Sequence, residues 1–211
     1  MVFIPKPGKS LTQAKSLRPI SLTSFILKIL EKQIDRHIRV GVLVEKQLHQ
    51  KQYAYRAGMS TETALFQVVK RLEKFLEHKE IALGAFLDIE GAFDNTSFKT
   101  IFTAARERGL KKTCCRWIEF MLRSRLVHTS LMGSSITAKV IKGCPGVLSP
   151  LLWNLVVDRL LTVTNDLGFN TFGYADDIVI IVQGKFAHSQ GNYAECPECV
   201  SEVGCKRGSK Y

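Results

Sequence analysis

Two short apolar runs in this chain each end in carboxylates, and that pairing limits its possible folds more than any other feature. Ile178-Val179-Ile180-Ile181-Val182 follows Tyr174-Ala175-Asp176-Asp177, which in turn follows Phe172-Gly173. Two β-prone arms around a short polar tip predict a hairpin with adjacent carboxylates at its turn. Asp is a favoured turn residue, so the tip taken alone also reads as a solvated turn. Two like charges about 4 Å apart cost roughly 4 kcal/mol at an effective dielectric near 20. A divalent cation removes that cost, and hard oxygen ligands suit Mg²⁺. Ile81 to Leu87 is a second apolar run, ending at Asp88, and predicts a strand buried on both faces. If that strand lies beside the hairpin, Asp88 and Asp176 converge. Carboxylates that hold two metal ions can clamp the attacking and leaving oxygens of a phosphoryl transfer.

Composition agrees with a partner rich in phosphate. The 211 residues carry 30 Lys and Arg against 19 Asp and Glu, a formal net charge of +11. The bases are spread along the chain among aromatic residues, which suits a phosphate-lined groove better than a charged tail. At 45% hydrophobic and 23% charged, the chain has the make-up of a folded protein. No apolar run reaches membrane-spanning length, and the N-terminus lacks the basic-then-apolar pattern of a signal peptide. Six Cys, two of them adjacent at Cys114 and Cys115, do not form a disulfide pattern, so an intracellular, reduced protein is expected.

Helices are predicted between the strands. One follows Thr23 or Ser24 as its cap, with Ile26, Ile29, Leu30 and Ile34 inward and Lys28, Glu31, Lys32 and Asp35 solvated. A second starts near Ser60 or Thr61, with Leu65, Val68, Val69, Leu72 and Leu76 as core. Thr96 or Ser97 caps a third, whose stripe is Phe98, Ile101, Phe102 and Ala105 and whose stop is Gly109. Leu110, Cys114, Trp117 and Met121 continue as another. Val127 to Ile141 reads as a hairpin around Gly133-Ser134-Ser135, and Ser149-Pro150 opens a last helix that ends at Gly168. Lys6, Lys9 and Arg18 alternate with Pro5, Pro7 and Pro19, as in stiff extended loops carrying cations. Strands separated by helices, with the hairpin returning to the central strand, predict an α/β (α+β) ferredoxin-like sheet with flanking helices.

Phe86-Leu87-Asp88-Ile89-Glu90-Gly91-Ala92-Phe93-Asp94 and Tyr174-Ala175-Asp176-Asp177 resemble motifs A and C of reverse transcriptases, specifically those of non-LTR retrotransposons. Ile4-Pro5-Lys6-Pro7-Gly8-Lys9, Leu17-Arg18-Pro19-Ile20-Ser21-Leu22, Tyr55-Arg56-Ala57-Gly58-Met59-Ser60-Thr61-Glu62 and Lys142-Gly143-Cys144-Pro145 add matches in the same order. The resemblance implies a right-hand polymerase palm at 81–187, partial fingers at 1–80 and no thumb. It implies RNA-templated DNA synthesis, with an RNA template, a DNA primer and deoxynucleoside triphosphates as partners, in a nuclear or cytoplasmic ribonucleoprotein. Asp88, Asp176 and Asp177 would be catalytic. With the Ile89 carbonyl they would hold two Mg²⁺ ions, or Mn²⁺, Asp177 acting more by orienting the site. Lys6, Lys9, Arg18, Gly91, Ala92, Phe93 and Pro145 would meet the nucleotide. Phe93 would reject a ribose 2′-hydroxyl by shape, and Arg18 would grip phosphate bidentately. Tyr55, Arg56 and Tyr174 would touch template or primer.

Two stretches depart from the family pattern. Motif B normally reads Gly-Cys-Pro-Gln-Gly-Gly-Val-Leu-Ser-Pro, whereas Gly143-Cys144-Pro145 runs straight into Gly146-Val147-Leu148-Ser149-Pro150. Two missing residues remove about 7 Å of extended reach, and a misplacement of about 1 Å can cost 10²-fold in rate. The second reading of the chain is therefore a nucleic-acid-binding remnant without activity. From residue 188 the chain ceases to look like the family and reads as an aberrant, disordered tail. Codons for 190–211 can be chosen that, shifted by one base, spell a family-like helix, so a frameshift is expected there. Cys196, Cys199 and Cys205 lack an evident fourth zinc ligand.

Overall fold

The computed structural model describes residues 1–8, 16–131 and 134–184. Lys9 and the stretch 188–211, including the expected frameshift, lie outside the described residues. The central sheet is built from β3 (Ile81–Asp88), β6 (Asn170–Tyr174) and β7 (Asp177–Gly184), all antiparallel in the order β3-β7-β6. The two predicted apolar runs are therefore neighbours, with β7 between its hairpin partner and β3. Helices separate β3 from the hairpin, which gives the βαββ order expected of a ferredoxin-like palm.

Alternation along the strands sorts their side chains onto two faces. Phe172, Val179 and Ile181 pack with Ala64, Val68 and Phe75 of α3 (Thr61–Glu77). Ile178 on the other face joins the main core with α7 (Ser149–Asp166), including Leu151, Leu152, Leu155 and Leu161. Gly173 lets α7 come close, since a Cβ there would meet Leu161 Cδ1 at 3.2 Å. α5 (Phe98–Glu107) and α6 (Lys112–Arg123) complete that core with Ile101, Ile118 and Leu122. The adjacent thiols are indeed helix packing, Cys114 buried and Cys115 half-buried.

The outer side of β6 is closed by an irregular segment: Tyr53 N–H donates to Gly173 O and Gly173 N–H to Lys51 O, both at 2.9 Å. Nearby, a buried ion pair of Arg108 with Asp158 also receives His49 N–H at 2.6 Å. The stretch around 46–56 is thus held against the sheet and α7. Two smaller hairpins flank the body, β1 (Val2–Pro5) with β2 (Leu17–Ile20) and β4 (Leu126–Leu131) with β5 (Ser134–Lys139). Pro5 and Pro19 therefore lie in strands and not in extended loops. Among the described residues no helix is long and apolar enough to cross a membrane.

Several expectations need correction. α1 (Phe25–Val40) is capped by Ser24, whose Oγ accepts Leu27 N–H at 3.2 Å, but its inward face is not the one expected. Ile26, Ile29 and Leu30 are exposed, whereas Glu31 and Ile38 are buried and Leu27 and Ile34 partly so. Leu27, Glu31, Ile34 and Ile38 form one helical stripe, made tolerable by a buried cation opposite Glu31. On α3, Leu65, Val69 and Leu76 are exposed, because the sheet is met by the Ala64–Val68–Phe75 stripe. Phe86 is 75% exposed, since β3 is an edge strand and is not buried on both faces. Ser149 lies within α7, whose cap is Leu148.

Candidate active site

The register of β3 on β7 places Asp88 opposite Asp177, and that of β6 on β7 places Tyr174 opposite Asp177. Opposed residues in an antiparallel ladder share a face, so Asp88, Tyr174 and Asp177 lie together on the α3 side. Asp176 sits in the two-residue turn between the strands. Its carbonyl accepts Ile89 N–H at 3.0 Å, which ties the end of β3 to the turn. Asp88 and Asp177 are exposed and Asp176 half-buried. Partial burial, and then the charges of Asp176 and Asp88, push the Asp177 carboxyl above its ordinary range. No described base forms a salt bridge with any of the three.

The turn is held in an uncommon shape. Ala175 has φ +55, a left-handed conformation that costs a non-glycine residue roughly 1–2 kcal/mol. Trp153 of α7 donates its indole Nε1–H to Ala175 O at 2.7 Å and so fixes that shape from below. Its ring packs on Phe93 at 6.0 Å between centroids, and Phe93 meets Tyr55 edge-on at 6.1 Å. Tyr55 is itself left-handed, φ +58. Burial first, then the charges of Asp176 and Tyr174, raise its phenol above the usual range, so the hydroxyl keeps its proton. One aromatic row thus connects Tyr55, Phe93 and Trp153 with the acidic turn.

Gly91, with φ +66, caps the four-residue helix α4 (Ala92–Asn95) that carries Phe93, while Ala92 is buried beneath it. The shortened motif B loop is laced onto the same helix. Gly143 N–H donates to Thr96 O at 2.8 Å and Cys144 N–H to Phe93 O at 2.9 Å. Gly143 has φ +81, and a Cβ there would stand 2.6 Å from Asp94 O. Burial pushes the Cys144 thiol up to about 11, so it stays protonated near neutral pH.

The other side of this loop is fixed by Glu31, expected on a solvated face, and by Arg125, which no motif marks. Glu31, fully buried, pairs with Arg125 and accepts Leu148 N–H at 3.1 Å, while Arg125 also donates to Pro145 O. A Cβ on Gly146 would run into the Glu31 carboxylate. The one sequence signal for Glu31 is its place in the Leu27–Ile34–Ile38 stripe; Arg125 and Trp153 carried none.

The remaining predicted residues are more scattered. Arg56 donates to His49 O at 2.8 Å and Gln52 O at 2.9 Å, so its guanidinium closes its own loop. Lys6 N–H bonds to Ser16 O at 2.8 Å, and Arg18 is exposed on β2 opposite Ile4. Neither side chain forms a salt bridge with the carboxylates among the described residues. No three His, Cys, Asp or Glu side chains among the described residues are grouped closely enough to enclose a metal unaided. A divalent cation held at this turn would therefore need further oxygen ligands, such as substrate phosphates, to complete its shell. The donor chemistry fits such an ion: oxygen ligands on an acidic turn with no bound base.

A family model described as reverse transcriptase (RNA-dependent DNA polymerase) matches residues 4–207. The chain is 38% identical over 198 residues to the probable RNA-directed DNA polymerase from transposon X-element of Drosophila melanogaster, over 88% of this chain and 21% of that protein. It is 30% identical over 195 residues to the RNA-directed DNA polymerase from mobile element jockey of the same species, with the same two coverages. The chain spans about a fifth of the length of these relatives. Telomerase from Candida albicans, solved in complex with the TWJ fragment of telomeric RNA, aligns at TM-score 0.56 and 9% identity, over 93% of this chain and 40% of that one. At that identity the likeness is one of fold, and it agrees with a polymerase palm. With its acidic hairpin, palm sheet and these relatives, the chain belongs to the reverse transcriptase (RNA-dependent DNA polymerase) family.

Proposed function

We propose that this chain carries the catalytic centre of an RNA-directed DNA polymerase of a non-LTR retrotransposon, extending a DNA primer on an RNA template inside the cell as part of a ribonucleoprotein. The observation that carries the reading is the Asp88–Asp177 register beside the Asp176 turn. Reverse transcriptases as a family use divalent metal ions. Here Asp88, Asp176 and Asp177, with the Ile89 carbonyl, would hold two Mg²⁺ or Mn²⁺ ions. When bound, these supply Lewis-acid activation of the primer 3′-hydroxyl and charge neutralisation at the departing pyrophosphate.

The protein's own part is positioning. Trp153 and the Ile89 amide hold the turn that carries Asp176 beside the exposed carboxylates of Asp88 and Asp177. Phe93, fixed between Tyr55 and Trp153, presents a rigid ring on which a ribose 2′-hydroxyl would clash. Gly91 and Ala92 set the backbone beneath that ring, and Cys144, next to Pro145 in the motif B loop, bonds to the Phe93 carbonyl; Pro145 is proposed to meet the nucleotide. Lys6, Lys9 and Arg18 are proposed to meet the triphosphate. Tyr55 and Tyr174 are proposed to line the path of template and primer, and Arg56 to shape the loop that presents Tyr55.

One observation favours a second reading, nucleic-acid binding without synthesis. The Pro145 carbonyl is occupied by Arg125, and the loop that should meet the template base is tied down by Glu31. Primer extension on RNA with Mg²⁺ and deoxynucleotides separates the two. The polymerase reading expects extension that Asp176→Ala abolishes. If the protein binds RNA, does not extend, and binds equally well as Asp176→Asn, the second reading stands. Activity gained on inserting Gln-Gly after Pro145 would assign the defect to the loop.

A further inference from the structure

The end of the sheet remote from the acidic turn carries the opposite charge. Lys51 lies beside β6 with its Nζ 5.0 Å from the centre of the Phe172 ring, and the Arg71 guanidinium stands 4.8 Å from that of Phe75. Phe172 and Phe75 belong to the same small core on the α3 face, so both cations sit on that face. Lys51 Nζ donates to Asn165 Oδ1 at 2.5 Å and Asn170 Oδ1 at 3.3 Å, neutral oxygens that leave its charge uncompensated. Among the described residues neither cation forms a salt bridge. Arg71 Nε is buried with no hydrogen-bond partner there. Partial burial, and then the Arg71 charge, lower the Lys51 ammonium from its usual value. Arg71, Gly168, Asn170 and Gln183 line an open cleft at this end. Two like charges held together without a counter-ion carry a cost that an anion in the cleft would relieve.

We propose that this cleft binds a backbone phosphate of a nucleic-acid strand, with Arg71 and Lys51 as its two cations. The guanidinium can offer its two Nη groups to phosphate oxygens, and the Lys51 ammonium, outside the cleft wall but bonded to Asn170, supplies a second charge beside it. Along β7 the site extends from Ile181, opposite Asn170, to Gln183, about 13–20 Å from Asp177. A strand held here is therefore gripped several nucleotides away from the acidic turn, and the contact fixes position without reading bases. The site depends on the proposed function only in that the chain handles nucleic acid.

The test is the salt dependence of binding of a short single-stranded RNA to the full chain, followed by fluorescence anisotropy. Arg71→Gln is expected to weaken binding about tenfold at low salt, the scale of one charge-assisted hydrogen bond. Its slope of log affinity against log salt should be shallower by about 0.7, the share of one phosphate contact on a single strand. Lys51→Met should act in the same direction, Arg71→Lys should recover most of the slope, and the urea midpoint of each variant shows that it is folded. Lys32→Gln with Lys99→Gln, exposed bases elsewhere, should leave the affinity within about twofold, as expected for surface charges remote from a specific contact. An unchanged slope in folded Arg71→Gln, or an equal loss in the control, overturns the proposal. So does protection by inorganic phosphate that depends on Arg71 while RNA binding does not, which would make the site one for small anions. If the wild-type chain binds no RNA, this proposal and the functional reading fall together; if it binds RNA indifferently to Arg71, only this proposal falls.

Discussion

Replacing Glu31 by Gln tests the buried ion pair most directly. The residue has no solvent-accessible surface, and the Arg125 side chain is 10% exposed. Gln keeps the shape and can still accept Leu148 N–H, but it leaves the guanidinium buried without its counter-charge. Removing one partner of a buried pair costs about 3–5 kcal/mol, a large part of the roughly 5–15 kcal/mol that stabilises a domain. For a chain of this length that corresponds to a fall in Tm of about 10 °C. Urea unfolding followed by circular dichroism measures it. The double variant Glu31→Met/Arg125→Met should recover much of the loss, because exchanging both partners for apolar groups is often neutral. The Leu148 amide, which would lose its acceptor there, should exchange faster in the double variant. A Glu31→Gln protein within about 1 kcal/mol of wild type would refute the reasoning, since a buried charge cannot be that cheap to orphan.

Trp153→Phe keeps the ring against Phe93 but deletes the donor to Ala175 O. We expect a kcat reduced about tenfold, the equivalent of one hydrogen bond, with KM for nucleotide little changed; a larger effect on KM would argue against the indole as a support of the turn. Asp177 predicts a pH dependence. Its carboxyl is raised in the folded state, so folding takes up a proton there, and its contribution to stability is lost as pH rises through the raised value. Thermal melts above the ordinary carboxylate range should show this decline, Asp177→Asn should flatten it, and divalent cation should reverse it at the upper end of the range. Identical profiles for wild type and Asp177→Asn would remove the charge cluster from the argument.

The local signals in the chain were readable for local reasons. Ser24, Ser60 and Ser97 each cap the helix that follows, their Oγ atoms accepting the amides of Leu27, Thr63 and Thr100. Such a bond reaches only three residues, so nothing distant can override it. The acidic strands were readable because packing alone gives an apolar run no reason to end in a carboxylate. The inward face of α1 was not readable, because Glu31 is buried by an arginine 94 residues further on. By hydrophobicity alone Ile26 and Ile29 outrank a glutamate, and only the opposing Arg125 reverses that order. The same distance hid Trp153, whose indole matters through one hydrogen bond to a turn 22 residues away.

The palm sheet is finished on one side and unfinished on the other. Backbone bonds from Lys51 and Tyr53 seal β6. By contrast, β3 ends the ladder among the described residues and bears Gly84 and an exposed Phe86, in place of the lysines and prolines that usually guard an edge. Such a sheet has a direction of growth. A strand that paired with β3 would run alongside Asp88 and stiffen the acid that ends it.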